Sequence, residues 1–219
     1  MLPFPPADEL RRRIPRLLGG LVLFGVGIAL MVRADLGLAP WDVLHQGVAE
    51  RTGIAIGNVT ILTGVLVLLL WVPIRERWGL GTVLNVVVIG LVVDATLAVL
   101  AAPEAMWQRI SFLAVGIFMF GPGSGLYIGA GLGPGPRDGL MTGLARRGRS
   151  VRIVRTGIEL AALAVGAALG GSVGIGTVAF AVTVGPNVHW HLDKMTMPAA
   201  RLRRATEPDA FPPGHVEAL

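Results

Sequence analysis

Two aspartates, Asp42 and Asp138, lie in the part of the sequence most suggestive of chemistry. They belong to two copies of one motif, over residues 36–44 and 132–140, in which five residues recur at the same spacing. The shared positions are Leu36, Gly37, Pro40, Asp42 and Leu44 in the first copy, and Leu132, Gly133, Pro136, Asp138 and Leu140 in the second. A duplicated unit of roughly 80 to 95 residues is therefore predicted.

Three interpretations of this motif remain open. In the first, each aspartate simply stabilises the first turn of a helix, where proline is favoured and a carboxylate meets the positive dipole end. In the second, both motifs are broken-helix elements that meet near the membrane midplane and present helix starts to a solute or proton. In the third, the helix lies in the membrane surface, with Trp41, Leu44 and Val48 on one face; Arg137 replaces the tryptophan in the second copy.

Other ionisable residues are candidates for a solute or ion pathway. Asp94 is the only acid well inside a predicted span, where an unpaired charge costs about 2.5 to 3.5 kcal/mol on insertion scales. His189 occupies the matching position of the second copy, so the two could handle a proton or, alternatively, reach water at span ends. His45 shares a helix face with Asp42 and is either a polar neighbour or part of the same site.

No catalytic constellation occurs in the sequence. Metalloprotease, nucleophile-elbow and phosphate-loop motifs are absent, and the glycine-rich residues 129–135 precede no strand. We therefore expect no enzyme activity, no catalytic residue, no metal site and no cofactor.

The elements that position these residues are membrane helices. Hydrophobic residues form 53% of the 219-residue chain and charged residues 15%, with 31 glycines, which exceeds the apolar content of a typical soluble domain. Long uncharged runs predict six spans, and the net charge of +5 reflects basic residues beside the spans rather than nucleic-acid binding. The chain has no cysteine, which excludes disulfides.

The predicted fold is all-α, with six transmembrane helices and two short re-entrant or interfacial helices in two inverted repeats of three spans. The short helices are too short to cross, since residues 40–51 reach about 18 Å against roughly 30 Å of hydrocarbon. A stripe of small residues, Gly121, Gly125 and Gly129, is predicted to pack against another helix. The predicted units are a tail at 1–16, a first repeat at 17–104 with its short helix at 40–51, a second repeat at 109–192 with its short helix at 136–147, and a disordered tail at 193–219.

The positive-inside rule places both termini in the cytoplasm. All lysines and arginines then face the cytoplasm except Arg33, Arg51 and Arg109. An odd number of spans in each copy makes the second copy enter from the opposite side, which predicts an inverted repeat.

Residues 35–47, 79–85 and 127–141 resemble the bacterial YczE/YyaS/YitT-like membrane protein family. The resemblance covers about residues 16–190. It implies a polytopic protein of the bacterial inner membrane with no assigned substrate, and it supplies no catalytic residues.

We therefore expect a small-solute or ion transporter or channel in the bacterial cytoplasmic membrane, embedded in the lipid bilayer. A non-transporting membrane partner or regulator and a substrate-capturing subunit of a larger uptake complex are the alternatives. Besides lipid, the expected partners are an unidentified solute or ion, and either a second copy of this chain or another membrane protein. Nucleic acid is not expected as a partner.

Overall fold

The computed structural model describes residues 6–146, 148 and 150–197. Within these residues the chain forms eight α-helices and no β-strand, which confirms the predicted all-α fold. In chain order the helices are α1 (Ala7–Ala34), α2 (Pro40–Thr52), α3 (Ile56–Ile74), α4 (Leu80–Val99), α5 (Met106–Gly129), α6 (Pro136–Ala145), α7 (Val151–Leu169) and α8 (Ile175–Met195).

The helices follow the same order twice, one long, one short and two long. The first half, α1 to α4, has helices of 28, 13, 19 and 20 residues, and the second half, α5 to α8, has helices of 24, 10, 19 and 21. Each short helix starts at its motif proline, Pro40 or Pro136. The motif glycines before them, Gly37 and Gly133, have φ values of 109° and 126°, a conformation that residues with a side chain rarely adopt.

The two halves meet where α1 crosses α5. A Cβ atom on Gly20 would lie 2.6 Å from the carbonyl oxygen of Gly123, and one on Gly27 would lie 2.9 Å from that of Gly116. In the duplicated register Gly20 matches Gly116 and Gly27 matches Gly123. The crossing therefore consists of one close backbone contact made twice, with the roles of the halves exchanged. Small residues allow this separation between helices.

Each motif is tied to the last helix of the opposite half. The amide of Gly176, at the start of α8, donates to the carbonyl oxygen of Leu36 at 2.7 Å, and the amide of Gly81, at the start of α4, donates to that of Leu132 at 2.8 Å. These bonds are equivalent in the two copies. Thr82 adds a hydroxyl hydrogen bond to the carbonyl of Pro134 at 2.8 Å. The linkers before both short helices are therefore fixed by contacts between the halves.

In the described part of the chain four helices, α1, α3, α4 and α5, are long and apolar enough to cross a membrane. Helices α7 and α8 have comparable lengths but carry more polar residues, among them Arg155 and Glu159 in α7 and Asn187 in α8. The prediction of six spans in an inverted repeat therefore stays a prediction.

The ends of the chain differ in part from the predicted tails. Helix α1 begins at Ala7, so much of the predicted tail at 1–16 continues the first span as a helix. Arg13, in this extension, is fully buried, and its Nη1 donates to the carbonyl oxygen of Ala130 at 3.1 Å. Helix α8 extends to Met195, and the rest of the predicted disordered tail, from residue 198 onward, lies outside the described residues.

The α1–α5 crossing yields a stability prediction with a control one residue away. Gly20→Ala places a methyl group against the backbone of α5, and overpacking of this kind costs about 1–3 kcal/mol. Gly19→Ala is the matched control, because a Cβ there meets nothing within 4 Å. We expect unfolding of Gly20→Ala in mixed micelles at lower denaturing-detergent concentration than Gly19→Ala. Equal midpoints would contradict the close crossing.

Candidate functional site

A cavity of about 140 Å³ lies between the starts of the two short helices. All eight helices contribute to its lining, and both motifs reach it, through Pro40 and Trp41 of α2 and through Pro136 to Asp138 of α6. One part of the wall is aromatic, since the tilted rings of Phe24 and Phe120 contact each other with centroids 4.4 Å apart. The structure therefore brings the two copies of the motif together at one amphipathic space.

Equivalent residues of the two motifs contact each other in this wall. Arg137 occupies the position of Trp41 in the duplicated register, and its guanidinium lies 5.0 Å from the centroid of the Trp41 ring. Its Nη2 atom also lies 3.6 Å from Oδ1 of Asp42. A cation over an indole face is attracted by the ring quadrupole, so Arg137 joins the two helix starts by charge as well as by packing.

Asp42 and His45 form a buried pair on α2, each with 1% of its surface exposed. The Nδ1 atom of His45 lies 3.4 Å from Oδ1 of Asp42 and 3.1 Å from Oγ1 of Thr60. The Thr60 hydroxyl donates to the carbonyl of Ile56 at 2.9 Å, which leaves its oxygen to accept from the histidine. This geometry assigns the proton of the neutral imidazole to Nδ1. The second nitrogen, Nε2, has no hydrogen-bond partner among the described residues.

Asp138 has a different environment from its sequence equivalent. It is half-buried, and its Oδ2 accepts a hydrogen bond of 3.0 Å from the hydroxyl of Tyr127, the single tyrosine of the chain. Both residues line the cavity. The two motif aspartates therefore lie close to one space but have distinct partners, a phenol for Asp138 and two nitrogen groups for Asp42.

A further ion pair lines the cavity from α7. Nε of Arg155 donates to Oε1 of Glu159 at 2.9 Å, and both residues line the cavity. Asn85 of α4 reaches the same wall. Nothing in the spacing of these residues along the sequence relates them to the motifs.

Tyr127, Thr60 and Arg137 were missed as site residues. A cation beside the motif aspartate of an apolar chain was the available signal for Arg137. The other two become visible only once α5 and α3 pack beside the short helices.

Asp94 and His189 are not brought together. Oδ1 of Asp94 accepts the amide of Gly57 at 2.7 Å and Oδ2 accepts that of Asn58 at 3.2 Å, so this carboxylate caps the start of α3. His189 is exposed, with Nε2 3.5 Å from Oδ2 of Asp193 on its own helix. Neither residue lines the cavity. The helix cap supplies a structural reason for an acid inside a span.

The predicted glycine stripe lies against α8. A Cβ on Gly121 would meet the side chain of Asn187 at 2.1 Å, one on Gly125 the carbonyl oxygen of His191 at 3.0 Å, and one on Gly129 that of Met195 at 2.8 Å. These glycines let α5 and α8 approach closely.

The start of α2 is enclosed by protein. Trp41, Asp42, Val43 and His45 are all buried, although a helix places these side chains in different directions. A helix lying on the membrane surface would expose one of those faces to lipid or water, so the burial disfavours the in-plane interpretation for this copy.

Together the apolar helices and the amphipathic cavity between them define a polytopic α-helical membrane protein. The chain belongs to DUF6198, a family of unknown function, whose family model matches residues 11–192.

Curated relatives agree with this assignment. An uncharacterised protein of Haemophilus influenzae is 42% identical over 183 residues, which cover 83% of this chain and 84% of the relative. The uncharacterised membrane protein YczE of Bacillus subtilis is 32% identical over 213 residues, covering 95% and 99%. The uncharacterised protein YyaS of the same organism is 23% identical over 166 residues, covering 73% and 82%. The predicted family resemblance is confirmed. No solved structure matches this chain.

Proposed function

We propose that this protein is a small-solute transporter or channel of the bacterial cytoplasmic membrane, with its pathway between the starts of α2 and α6. The observation that carries this proposal is the cavity lined by all eight helices and by both copies of the motif. Interrupted helices whose starts meet at an internal site are a recurring design of secondary transporters.

The charges around the cavity support a solute pathway. Arg137, Asp138, Arg155 and Glu159 all line it, and ionisable groups inside a membrane protein usually face a cavity that carries substrate or ions. The starts of the short helices add two positive dipole ends to the same space. An interface with a purely structural role would cost less free energy if apolar side chains formed it.

We also propose six spans in an inverted repeat, with both termini in the cytoplasm. This arrangement places the end of α1 and the start of α5 outside, where Nε of Arg109 donates to the carbonyl oxygen of Ala34 at 2.7 Å. The end of α2 meets the end of α7 on the same side, where Nε of Arg51 donates to the carbonyl oxygen of Leu169 at 3.0 Å.

On the proposed cytoplasmic side, Arg146 after α6 pairs with Glu76 after α3, with Nη1 and Oε2 3.0 Å apart. Burial raises the pKa of the Glu76 carboxyl, and the Arg146 guanidinium opposes that rise. Each of these contacts joins helix ends that the six-span arrangement assigns to one side. The glycine crossing of α1 and α5 gives two equivalent halves that could rock against each other to open the cavity alternately.

Cysteine labelling tests the inverted repeat. Ala55 and Ser150 are exposed residues at the N-caps of α3 and α7, they occupy matching positions, and the native chain contributes no thiol. In intact cells we expect a membrane-impermeant maleimide to label Ala55→Cys and to label Ser150→Cys only after permeabilisation. Labelling of both variants from one side would overturn the inverted repeat.

Uptake into proteoliposomes tests transport itself. We expect the purified protein to accumulate at least one member of a panel of radiolabelled anionic, cationic, zwitterionic and neutral solutes. Arg137→Gln and Asp138→Asn should lower that uptake about tenfold or more, because each removes a charge from the pathway. Glu104→Gln, on an exposed loop, is the control and should transport like the native protein. Absence of uptake for the entire panel would contradict the proposal.

A further inference from the structure

One carboxylate in the site lies near two nitrogen groups, the guanidinium of Arg137 and the imidazole of His45. Oδ1 of Asp42 lies 3.6 Å from Nη2 of Arg137 and 3.4 Å from Nδ1 of His45, and it has no hydrogen bond of its own among the described residues. Both distances are long for a charge-assisted hydrogen bond, whose usual length is about 2.7–2.9 Å. Asp42 is therefore shared between the arginine and the histidine rather than committed to either.

The nitrogen of His45 that can accept a proton is Nε2, because Nδ1 carries the proton of the neutral imidazole. Its Nδ1 proton is directed to Thr60 and Asp42, whereas Nε2 is buried, has no partner within the described chain, and belongs to a residue of the cavity wall. A proton added at Nε2 makes an imidazolium, whose Nδ1–H group then faces the Asp42 carboxylate. The pair can hold this charge best when Arg137 no longer competes for the same oxygen.

Arg137 is the cation that can leave. Its side chain retains 29% exposure and lines the cavity, and Asp42 is its acidic contact within 4 Å in the described part of the chain. By contrast, the other cation of the wall, Arg155, is held by Glu159 at 2.9 Å. A solute anion in the cavity would therefore find Arg137 as the accessible partner.

The charged and titratable groups around His45 come from three helices besides its own, while α3 contributes the hydroxyls of Thr60 and Thr63. They are Asp42 on α2, Tyr127 on α5, Arg137 and Asp138 on α6, and Arg155 and Glu159 on α7. Asp138 accepts from Tyr127 and Glu159 pairs with Arg155. Movement of Arg137 therefore changes the electrostatic environment of His45 more directly than movement of the other charged groups in the wall.

We propose that the cavity binds a small monocarboxylate through Arg137 and that binding is coupled to uptake of one proton by His45. The carboxylate draws Arg137 away from Asp42, and a proton from water binds Nε2 of His45, so that Asp42 neutralises the new imidazolium. The anion and the proton enter together and leave the net charge of the site unchanged. Phe24, Phe120 and Phe180 in the wall suit an apolar body on the carboxylate.

This inference deepens the proposed transport function by naming the solute class and the coupled ion. It also distinguishes carboxylates from amines, because an ammonium group would be repelled by Arg137 and would not release Asp42. Neutral amides of the same shape can occupy the cavity but cannot displace the arginine.

Calorimetry on the full-length protein in lipid nanodiscs tests the coupling without requiring transport. The probes are acetate, lactate and benzoate, each with its amide as a neutral control. Between about pH 6 and about pH 8 all three acids are ionised, so the probes contribute no proton of their own. We expect at least one carboxylate to bind, with an affinity that rises about tenfold for each unit by which pH falls while His45 is neutral in the free protein.

Variants separate the roles of His45 and Arg137. His45→Gln should bind the carboxylate with no pH slope, and Arg137→Gln should lose at least tenfold in carboxylate affinity with no change for the amide. If His45→Gln does not fold, the native protein titrated in buffers of different ionisation enthalpy reports the same quantity, expected to be about one proton taken up per carboxylate.

Three results would overturn the inference, namely no binding of any carboxylate, binding with no proton uptake, or an unchanged pH slope in His45→Gln. The result for transport is separate. Proton-coupled binding without flux into liposomes would contradict only the transport proposal, whereas flux of a carboxylate without a pH slope in binding would contradict only the coupling.

Discussion

The arrangement of the site depends on two backbone hydrogen bonds that join the halves of the chain. Gly176 donates to the carbonyl of Leu36 and Gly81 donates to that of Leu132, so each motif linker is held by the last helix of the other half. A broken helix in a membrane leaves polar backbone groups that must find partners within the protein. These reciprocal bonds supply such partners at both breaks, and they thereby fix where the short helices begin.

The two copies are equivalent in contacts but not in side-chain size. Where α2 crosses α7, a Cβ on Gly166 would meet the backbone of Leu44 at 2.4 Å; where α6 crosses α3, the small residue is Gly139 and the large one is Trp71. The Trp71 indole also donates to the carbonyl of Pro136 at 3.0 Å. The glycine thus lies on the long helix in the first crossing and on the short helix in the second, and both crossings stay filled. The equivalent positions of the two motifs also carry side chains of different kinds, because a tryptophan in one motif faces an arginine in the other.

Much of the backbone architecture could be predicted from local sequence. Glycine and proline at fixed spacing predicted the starts of both short helices, because their conformational preferences act within a few residues. The assignment of function to Asp94 had no such basis. An acid inside a span can find hydrogen-bond partners in several ways. The carboxylate of Asp94 accepts hydrogen bonds from the amides of Gly57 and Asn58, which belong to another helix. Tyr127 and Thr60 were missed for the same reason, since the register of helix packing determines which residues face the motifs.

The contact between the two helix starts is tested most directly by a double-mutant cycle on Asp42→Asn and Arg137→Gln. The free energy of unfolding in mixed micelles is measured for the native protein, both single variants and the double variant. Because the two groups share one buried site, the double variant should lose less than the sum of the single losses, with a coupling energy of roughly 0.5–3 kcal/mol. The pair Asp94→Asn and Arg137→Gln, which have separate partners, should be additive. Additive losses for Asp42 and Arg137 would contradict the meeting of the two motifs at one cavity.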